Sequence, residues 1–174
     1  MNPSILLQAP IAGCMRWGAW GAGFSKAEYR DMIDQCLELG IQSFDHADIY
    51  GDYTTEEEFG EVLKEDKTLR SRLKLITKCG IKMVSENRPD HQVKSYHTGR
   101  KHILQSVEQS LKHFGTDYLD VLLIHRPDPL LNPTEVAEAI QVLQQQGKVL
   151  AFGVSNFMPH QAEVLRQWVP LSYH

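Results

Sequence analysis

Three short apolar runs, each followed by polar side chains, constrain the fold of this chain most strongly. Residues 41–44, 73–77 and 119–124 have the length of buried strands, and residues 119–124 are nearly continuous in apolar character. Strands of this kind belong to parallel sheets that are covered on both faces. In such a sheet, neighbouring carboxyl ends lie about 4.8 Å apart at one edge. The sequence therefore predicts an α/β fold in which polar groups at the strand ends converge.

Four side chains with acid or base character lie at or just after these predicted strand ends. They are Asp45, Tyr50, Lys78 and His125. Each alone has a structural interpretation: a cap or loop residue for Asp45, a packing residue for Tyr50, a solvated strand end for Lys78 and a structural histidine for His125. Together, a carboxylate, a phenol, an ammonium and an imidazole can carry out proton transfer. Their joint placement at successive strand ends therefore favours an enzyme.

Helical patterns alternate with the strands along the whole chain. Ser25 and Glu28 form a capping box that predicts a helix ending at Gly40. Pro133 in a first helical turn and Gly147 at its end predict another. The remaining predicted elements are a strand within residues 9–14, helices at 54–63 and 100–114, a strand at 148–154 and a helix after Pro159.

Two α/β folds are compatible with this alternation, a doubly wound sheet and a (β/α)₈ barrel. A doubly wound dinucleotide-binding sheet should have GxGxxG after its first strand, but Gly18, Gly21 and Gly23 do not have that spacing. A complete barrel usually needs about 250 residues. This chain of 174 residues ends at His174, where a sixth strand would start. We therefore predict one domain over residues 1–174, a partial (β/α)₈ TIM barrel of about five βα units without the last three.

Residues 80–99 form a polar connection between the third predicted strand and the next helix. It contains Pro89 and Asn87. Its length exceeds what a plain connection between two such elements requires. We expect it to overhang a site, as long loops above strand ends often do.

Composition excludes several classes of partner. The formal charge is −4, and the basic residues are scattered apart from a loose group at 100–102, so no nucleic-acid surface is expected. No run of about 18 apolar residues predicts a membrane span, and residues 1–10 do not resemble a secretory leader. Cys14, Cys36 and Cys79 form no CxxC pair, which suits a reducing compartment. We expect a cytoplasmic protein.

Several spaced motifs, in order, resemble those of the aldo-keto reductase family. They are FDHADIYG at 44–51, TK at 77–78, LIHRPD at 123–128, GKV at 147–149 and GVSNF at 153–157. The resemblance extends from about residue 13 to the end of the chain. The sequence departs from the family pattern at His46, which replaces a small hydroxyl residue. It also lacks the seventh- and eighth-strand loops that hold the cofactor phosphates.

The resemblance implies NADPH-dependent reduction of an aldehyde or ketone to an alcohol. It implies that Tyr50 gives a proton to the carbonyl oxygen while Lys78 stabilises the resulting phenolate. Asp45 would keep the ammonium charged and in place, and His125 would orient the carbonyl by donating a hydrogen bond. Tyr50 and Lys78 are therefore expected to lie within about 5 Å of each other, the reach of direct proton chemistry.

The same resemblance leads to expectations for the rest of the site. Ser155 and Asn156 would hydrogen-bond the nicotinamide carboxamide, although they fit a simple turn before Pro159 as well. Backbone after the first strand would line the nicotinamide ring, and side chains just beyond would form the pocket mouth or cover the end of the barrel. These two groups are Gly13, Cys14 and Met15, and Arg16, Trp17 and Trp20.

Two other functions remain open at this point. A metal-dependent barrel hydrolase would use His46, Asp48 and His125, although no further strand-end ligands complete a metal shell. A truncated, non-catalytic relative would bind a partner or associate with itself through the open edges of the barrel. If the chain is complete, we expect weak NADPH binding, because most of the phosphate contacts are missing.

Overall fold

The computed structural model describes residue 7 and residues 9–173. Expectations about the first ten residues and about His174 therefore fall largely outside the described residues. None of the described helices is both long and apolar enough to cross a membrane.

Strands and helices alternate along the chain. The strands are β1 (Ile11–Gly13), β2 (Ser43–Asp45), β3 (Lys74–Cys79), β4 (Ile81–Lys82), β5 (Ser95–Tyr96), β6 (Leu119–Ile124) and β7 (Val149–Val154). The helices are α1 (Lys26–Glu38), α2 (Tyr50–Tyr53), α3 (Thr55–Glu65), a 3₁₀ turn (Leu69–Arg72), α4 (Arg100–Phe114), α5 (Pro133–Gln145) and α6 (Pro159–Arg166).

Five strands form one parallel sheet whose spatial order follows the chain order. The order is β1-β2-β3-β6-β7, and β4 pairs with β5 in a separate antiparallel hairpin. In a doubly wound sheet the strand order reverses at a switch point, whereas in a barrel each strand lies beside the strand that precedes it in the chain. The described residues therefore have the strand order of a barrel, and the predicted α/β fold is confirmed.

Local signals in the sequence set the helix ends. At α1, the Ser25 backbone N–H donates to Glu28 Oε2 at 2.8 Å, and the Ser25 hydroxyl accepts from the Glu28 N–H at 3.4 Å. At α5, Asn132 Oδ1 accepts from the Thr134 N–H at 3.1 Å. These side chains satisfy backbone donors that have no partner inside a helix. Both predicted helix starts are confirmed.

The main core lies between the sheet and its helices. Phe44, Leu75 and Leu122 project from the strands into it, where Phe59 and Phe114 project from α3 and α4. The alternate strand residues form a smaller cluster on the opposite face, made of Ile76, Val121 and Ala151. Because both faces are apolar, β6 and β7 consist mostly of consecutive apolar residues and do not alternate apolar with polar ones.

A buried ionic group joins β3 and β6 at the end of the sheet opposite the predicted site. Asp120 Oδ2 accepts from Arg70 Nη2 at 2.8 Å and from the Leu75 N–H at 3.0 Å. Arg70 Nη2 also donates to the Tyr118 carbonyl at 2.8 Å. Polar groups at the amino-terminal end of barrel strands typically serve stability.

Candidate active site

Three of the four predicted side chains arise from adjacent strand ends. Asp45 is the last residue of β2, Lys78 lies one residue before the end of β3, and His125 directly follows β6. These strands are neighbours in the order β2-β3-β6. The His125 N–H donates to the Cys79 carbonyl at 2.9 Å, which extends the ladder just beyond the strand ends. Sheet geometry alone therefore brings the three residues together.

A sharp turn positions Tyr50, the fourth residue. The three residues after it have positive φ angles: Gly51 at 59°, Asp52 at 56° and Tyr53 at 73°. Left-handed backbone is uncommon outside glycine. The loop above supports it, because Asn87 Nδ2 donates to the Asp52 carbonyl at 2.9 Å. This turn ends the loop that follows β2, and it holds the Tyr50 ring at the carboxyl end of the sheet.

Lys78 is the centre of the site and is only 6% exposed. Its ammonium donates to Asp45 Oδ2 at 2.8 Å, to the His46 carbonyl at 2.8 Å and to Tyr50 Oη at 3.0 Å. All three donors of an ammonium are therefore used. Because the Tyr50 oxygen accepts from Lys78, its own hydrogen is available for another acceptor. The contact lies well inside the expected 5 Å.

His125 faces Tyr50 across the site. The two rings have centroids 6.0 Å apart in an edge-to-face arrangement. Burial, followed by the positive charges of Lys78 and Arg126, lowers the pKa of His125 to about 4. The imidazole is therefore neutral at neutral pH and has one N–H to donate.

An open cleft of about 590 Å³ lies above these residues. A volume of this order suits a small molecule. Polar groups lie at its base, and aromatic and apolar side chains form much of its wall. The lining residues are Met15, Trp20, Asp45, Ile49, Tyr50, Lys78, Ile81, Met83, Lys94, Tyr96, His125, Arg126, Ser155 and Asn156.

The residues predicted for the cofactor are divided between the cleft and the core. Met15, Ser155 and Asn156 line the cleft. Asn156 Nδ2 donates to the His125 carbonyl at 3.1 Å and to Ser155 Oγ at 2.9 Å, which fixes the end of β7 beside that of β6. Cys14 is buried, and burial raises the pKa of its thiol well above the usual value.

Gly13 ends β1 beside Asp45, with which it is in register. It is exposed and does not line the cleft. The Cys14 N–H donates to the Asp45 carbonyl at 2.9 Å, so this backbone group is already used. Of the three residues predicted for the ring edge, only Met15 lines the cleft.

The residues predicted for the pocket mouth also separate. Trp20 lines the cleft and packs near Tyr50, with ring centroids 6.1 Å apart. Trp17 instead lies in the core, 5.7 Å from the Tyr29 ring and 6.0 Å from the Phe44 ring. The aromatic partners bury Trp17, which packs in the core and does not line the cleft. Arg16 is exposed and lies outside the lining of the cleft.

The residues of the metal-hydrolase hypothesis have three different surroundings. His46 is fully buried with its ring 4.6 Å from that of Phe59, and burial lowers its pKa to about 3. Asp48 accepts from Ser106 Oγ at 2.7 Å beside a separate cavity. His125 alone lines the cleft. Within the described residues, no three histidine, cysteine or acidic side chains are grouped to hold a metal ion. The geometry gives this hypothesis no support.

The cleft also contains side chains that the sequence did not identify as functional. Four of them lie in the segment 80–99, which overhangs the cleft as predicted. Arg126 follows His125 directly, and that adjacency was the available signal. The four residues in the overhanging segment are Ile81, Met83, Lys94 and Tyr96.

Comparison with known sequences gives one consistent result. The profile of the Aldo/keto reductase family matches residues 11–174. The oxidoreductase YcsN of Bacillus subtilis (strain 168) is 51% identical over 160 residues, which cover 92% of this chain and 53% of YcsN. The 6-dehydroglucose reductase of Agrobacterium fabrum (strain C58 / ATCC 33970) is 44% identical over 154 residues, which cover 86% and 52%. The chain spans about half the length of these curated relatives.

Solved structures similar to this chain also belong to aldo-keto reductases, and the chain again matches about half of each. The glycerol dehydrogenase of Gluconobacter oxydans superposes with a TM-score of 0.79 at 31% identity, over 93% of this chain and 49% of that one. An aldo-keto reductase of Bacillus halodurans superposes with a TM-score of 0.77 at 26% identity, over 92% and 50%. The fold is therefore part of a (β/α)₈ barrel that corresponds to about half of these neighbours.

Proposed function

Because the chain belongs to the aldo/keto reductase family, we propose that its cleft reduces an aldehyde or ketone to an alcohol with NADPH. The relatives of this chain are oxidoreductases. The observation that carries the proposal is the contact of 3.0 Å between Lys78 Nζ and Tyr50 Oη, with Asp45 holding the same ammonium at 2.8 Å. It supports Tyr50 as proton donor.

Proton delivery follows from the direction of the hydrogen bonds. Lys78 donates to the Tyr50 oxygen, so the phenolic hydrogen can point into the cleft toward a carbonyl oxygen. When that proton leaves, the phenolate is stabilised by an ammonium already in contact with it. Asp45 and the His46 carbonyl keep Lys78 in place, so little rearrangement is needed during the step.

His125 orients the carbonyl in this proposal. Its imidazole is neutral because its pKa is lowered to about 4, so it offers one N–H without a full positive charge. A carbonyl oxygen between the Tyr50 hydroxyl and the His125 ring would accept from both. Two donors aimed at one oxygen favour the state in which negative charge develops there.

The carboxyl end of β7 fits the nicotinamide end of the cofactor. Asn156 uses its Nδ2 group within the protein, at His125 and Ser155, which leaves its amide oxygen free of partners among the described residues. That oxygen and the Ser155 hydroxyl complement the donors and the acceptor of a carboxamide. Met15 and Trp20 supply apolar surface in the same cleft. NADPH, when bound, supplies the hydride.

The proposal is tested by replacing Tyr50 with Phe. NADPH oxidation and alcohol formation are measured at millimolar cofactor, with this chain and with a hybrid in which the carboxyl-terminal half of YcsN follows residue 174. Tyr50→Phe should lower kcat by about 10²-fold or more, the usual contribution of a general acid. Tyr118→Phe is the matched control, because Tyr118 lies at the opposite end of the sheet beside Arg70. Equal rates for both variants would remove Tyr50 from this role.

A second candidate function, self-association, has one observation in its favour. At one edge of the described sheet, β7 is hydrogen-bonded to a later segment of the chain, since the Val154 N–H donates to the Tyr173 carbonyl at 3.0 Å. The other edge strand, β1, has Ile11 45% exposed. Exposed apolar edge strands favour pairing between chains. Ile11→Lys should then shift an oligomer toward monomer in sedimentation, whereas Leu130→Lys, at a loop position that is 90% exposed, should not.

Two finer assignments belong to this proposal. The substrate is a small carbonyl compound, in keeping with the size of the cleft. Cys14, Cys36 and Cys79 are all free thiols, which suits a reducing compartment, and we assign the protein to the cytoplasm.

A further inference from the structure

The cleft has two cations that the proposed chemistry does not use. Lys94 and Arg126 both line it, together with Tyr50, Lys78 and His125. Within the described part of the chain, neither forms an ion pair or a side-chain hydrogen bond. Arg70 and Lys78, by contrast, each contact a carboxylate oxygen at 2.8 Å. Two charged side chains at one cleft are therefore left for a ligand.

The charge of the cleft differs in sign from that of the chain. The formal charge of the whole sequence is −4. Among the described lining residues, the only carboxylate is Asp45, which is bound to Lys78. His125 is neutral, since its pKa is lowered to about 4. Lys94 and Arg126 therefore give this part of a negatively charged protein an excess of positive charge.

The two cations come from different elements of the fold that both line the cleft. Arg126 follows His125 at the end of β6. The His125 carbonyl is fixed by Asn156 Nδ2 at 3.1 Å, so the backbone from which Arg126 projects is anchored. Lys94 directly precedes β5 in the overhanging hairpin. A small molecule whose carbonyl oxygen contacts Tyr50 would lie in the same cleft as both cations.

We propose that the substrate carries an anionic group, a carboxylate or a phosphate, away from its reacting carbonyl, and that Arg126 and Lys94 bind this group. The inference rests on the proposed reductase function, which makes the bound molecule a substrate. A guanidinium matches the planar pair of oxygens of a carboxylate or phosphate, and a lysine adds a flexible point charge. Both residues then determine specificity, while Tyr50 and His125 determine chemistry.

Binding is the first readout, because it does not require hydride transfer. Calorimetry compares 4-carboxybenzaldehyde with the neutral 4-carbamoylbenzaldehyde, and glyceraldehyde 3-phosphate with glyceraldehyde. We expect the anionic member of at least one pair to bind about fivefold or more tightly at low salt, as two partly exposed ion pairs would provide. The preference should shrink as salt approaches about 1 M, where the Debye length falls to about 3 Å. The pair that shows it identifies the group as carboxylate or phosphate.

Charge-removing variants test the assignment to these residues. Arg126→Gln and Lys94→Gln should each reduce the preference, and the double variant should abolish it. Lys67→Gln removes the same charge at an exposed position outside the cleft and should leave the preference intact. Equal binding of charged and neutral aldehydes, or a preference that survives the double variant, would overturn the proposal.

Two further outcomes separate this inference from the function it rests on. If the double variant weakens NADPH binding and leaves the aldehyde preference unchanged, the cations serve the cofactor and the proposal is wrong. If anions bind selectively but no aldehyde is reduced under any condition, the reductase function fails while the anion site stands.

Discussion

Removing the ammonium at the centre of the site should destabilise the protein by a predictable amount. Lys78→Met deletes three hydrogen bonds, to Asp45 Oδ2, the His46 carbonyl and Tyr50 Oη. Breaking a fully buried ion pair typically costs about 3–5 kcal/mol. The Asp45 side chain is 30% exposed, so water recovers part of its solvation. We therefore expect a loss of about 2–4 kcal/mol in the free energy of unfolding.

Much of this loss should come from the carboxylate left without a partner. Adding Asp45→Asn to Lys78→Met removes that charge and should restore about 1–2 kcal/mol, since an unpaired charge costs more than a missing pair. By contrast, Asp45→Asn alone should be destabilising, because Lys78 is nearly buried. Urea unfolding followed by circular dichroism measures all three variants.

Additivity would refute this reasoning. If the two substitutions together cost the sum of their separate effects, the residues are not coupled. A loss of less than about 0.5 kcal/mol for Lys78→Met, within the range of surface substitutions, would also contradict the geometry. Lys67→Met, at an exposed position, gives the baseline for removing a lysine.

Two predictions concern pH. Burial, with the nearby Glu56 charge, raises the pKa of Asp48 to about 8. Its contribution to stability is therefore full below the unfolded pKa and is lost as the pH rises toward 8. Urea titrations should show wild type losing up to about 1.4 kcal/mol per pH unit relative to Asp48→Asn between about pH 5 and 7, and parallel curves would contradict this. The pKa of His125 is lowered to about 4. Its contribution to stability is therefore full above the unfolded pKa and is lost as the pH falls toward 4. Its nuclear magnetic resonance signals should titrate near pH 4, and a midpoint near the ordinary value would refute the assigned burial.

The convergence of Asp45, Lys78 and His125 was predictable because it depends on one rule of parallel sheets. Apolar runs locate the strands, and the first polar residues beyond them must meet at the carboxyl edge. The register then sets distances without help from side chains, with Asp45 opposite Ile76 and Lys78 opposite Leu123. Strand ends differ by only one or two residues from those predicted, too little to change the convergence.

Features that depend on long-range packing were not predictable in the same way. Nothing in the sequence around Trp17 distinguishes it from Trp20, yet only Trp20 lines the cleft. Trp17 is buried because aromatic rings such as that of Tyr29 lie beside it in the folded chain. The β4–β5 hairpin consists of two-residue strands, too short for periodicity to indicate. The Asp120–Arg70 pair joins residues 50 positions apart, and nothing local in the sequence connects them.

The most direct measurement of the central claim is the deuterium content of the alcohol formed from an aldehyde and NADPH deuterated at the hydride position. The proposed chemistry predicts one deuterium on the carbinol carbon, in a product whose yield depends on Tyr50 and not on Tyr118. An alcohol without the label, or an equal yield of labelled product from Tyr50→Phe, would contradict it.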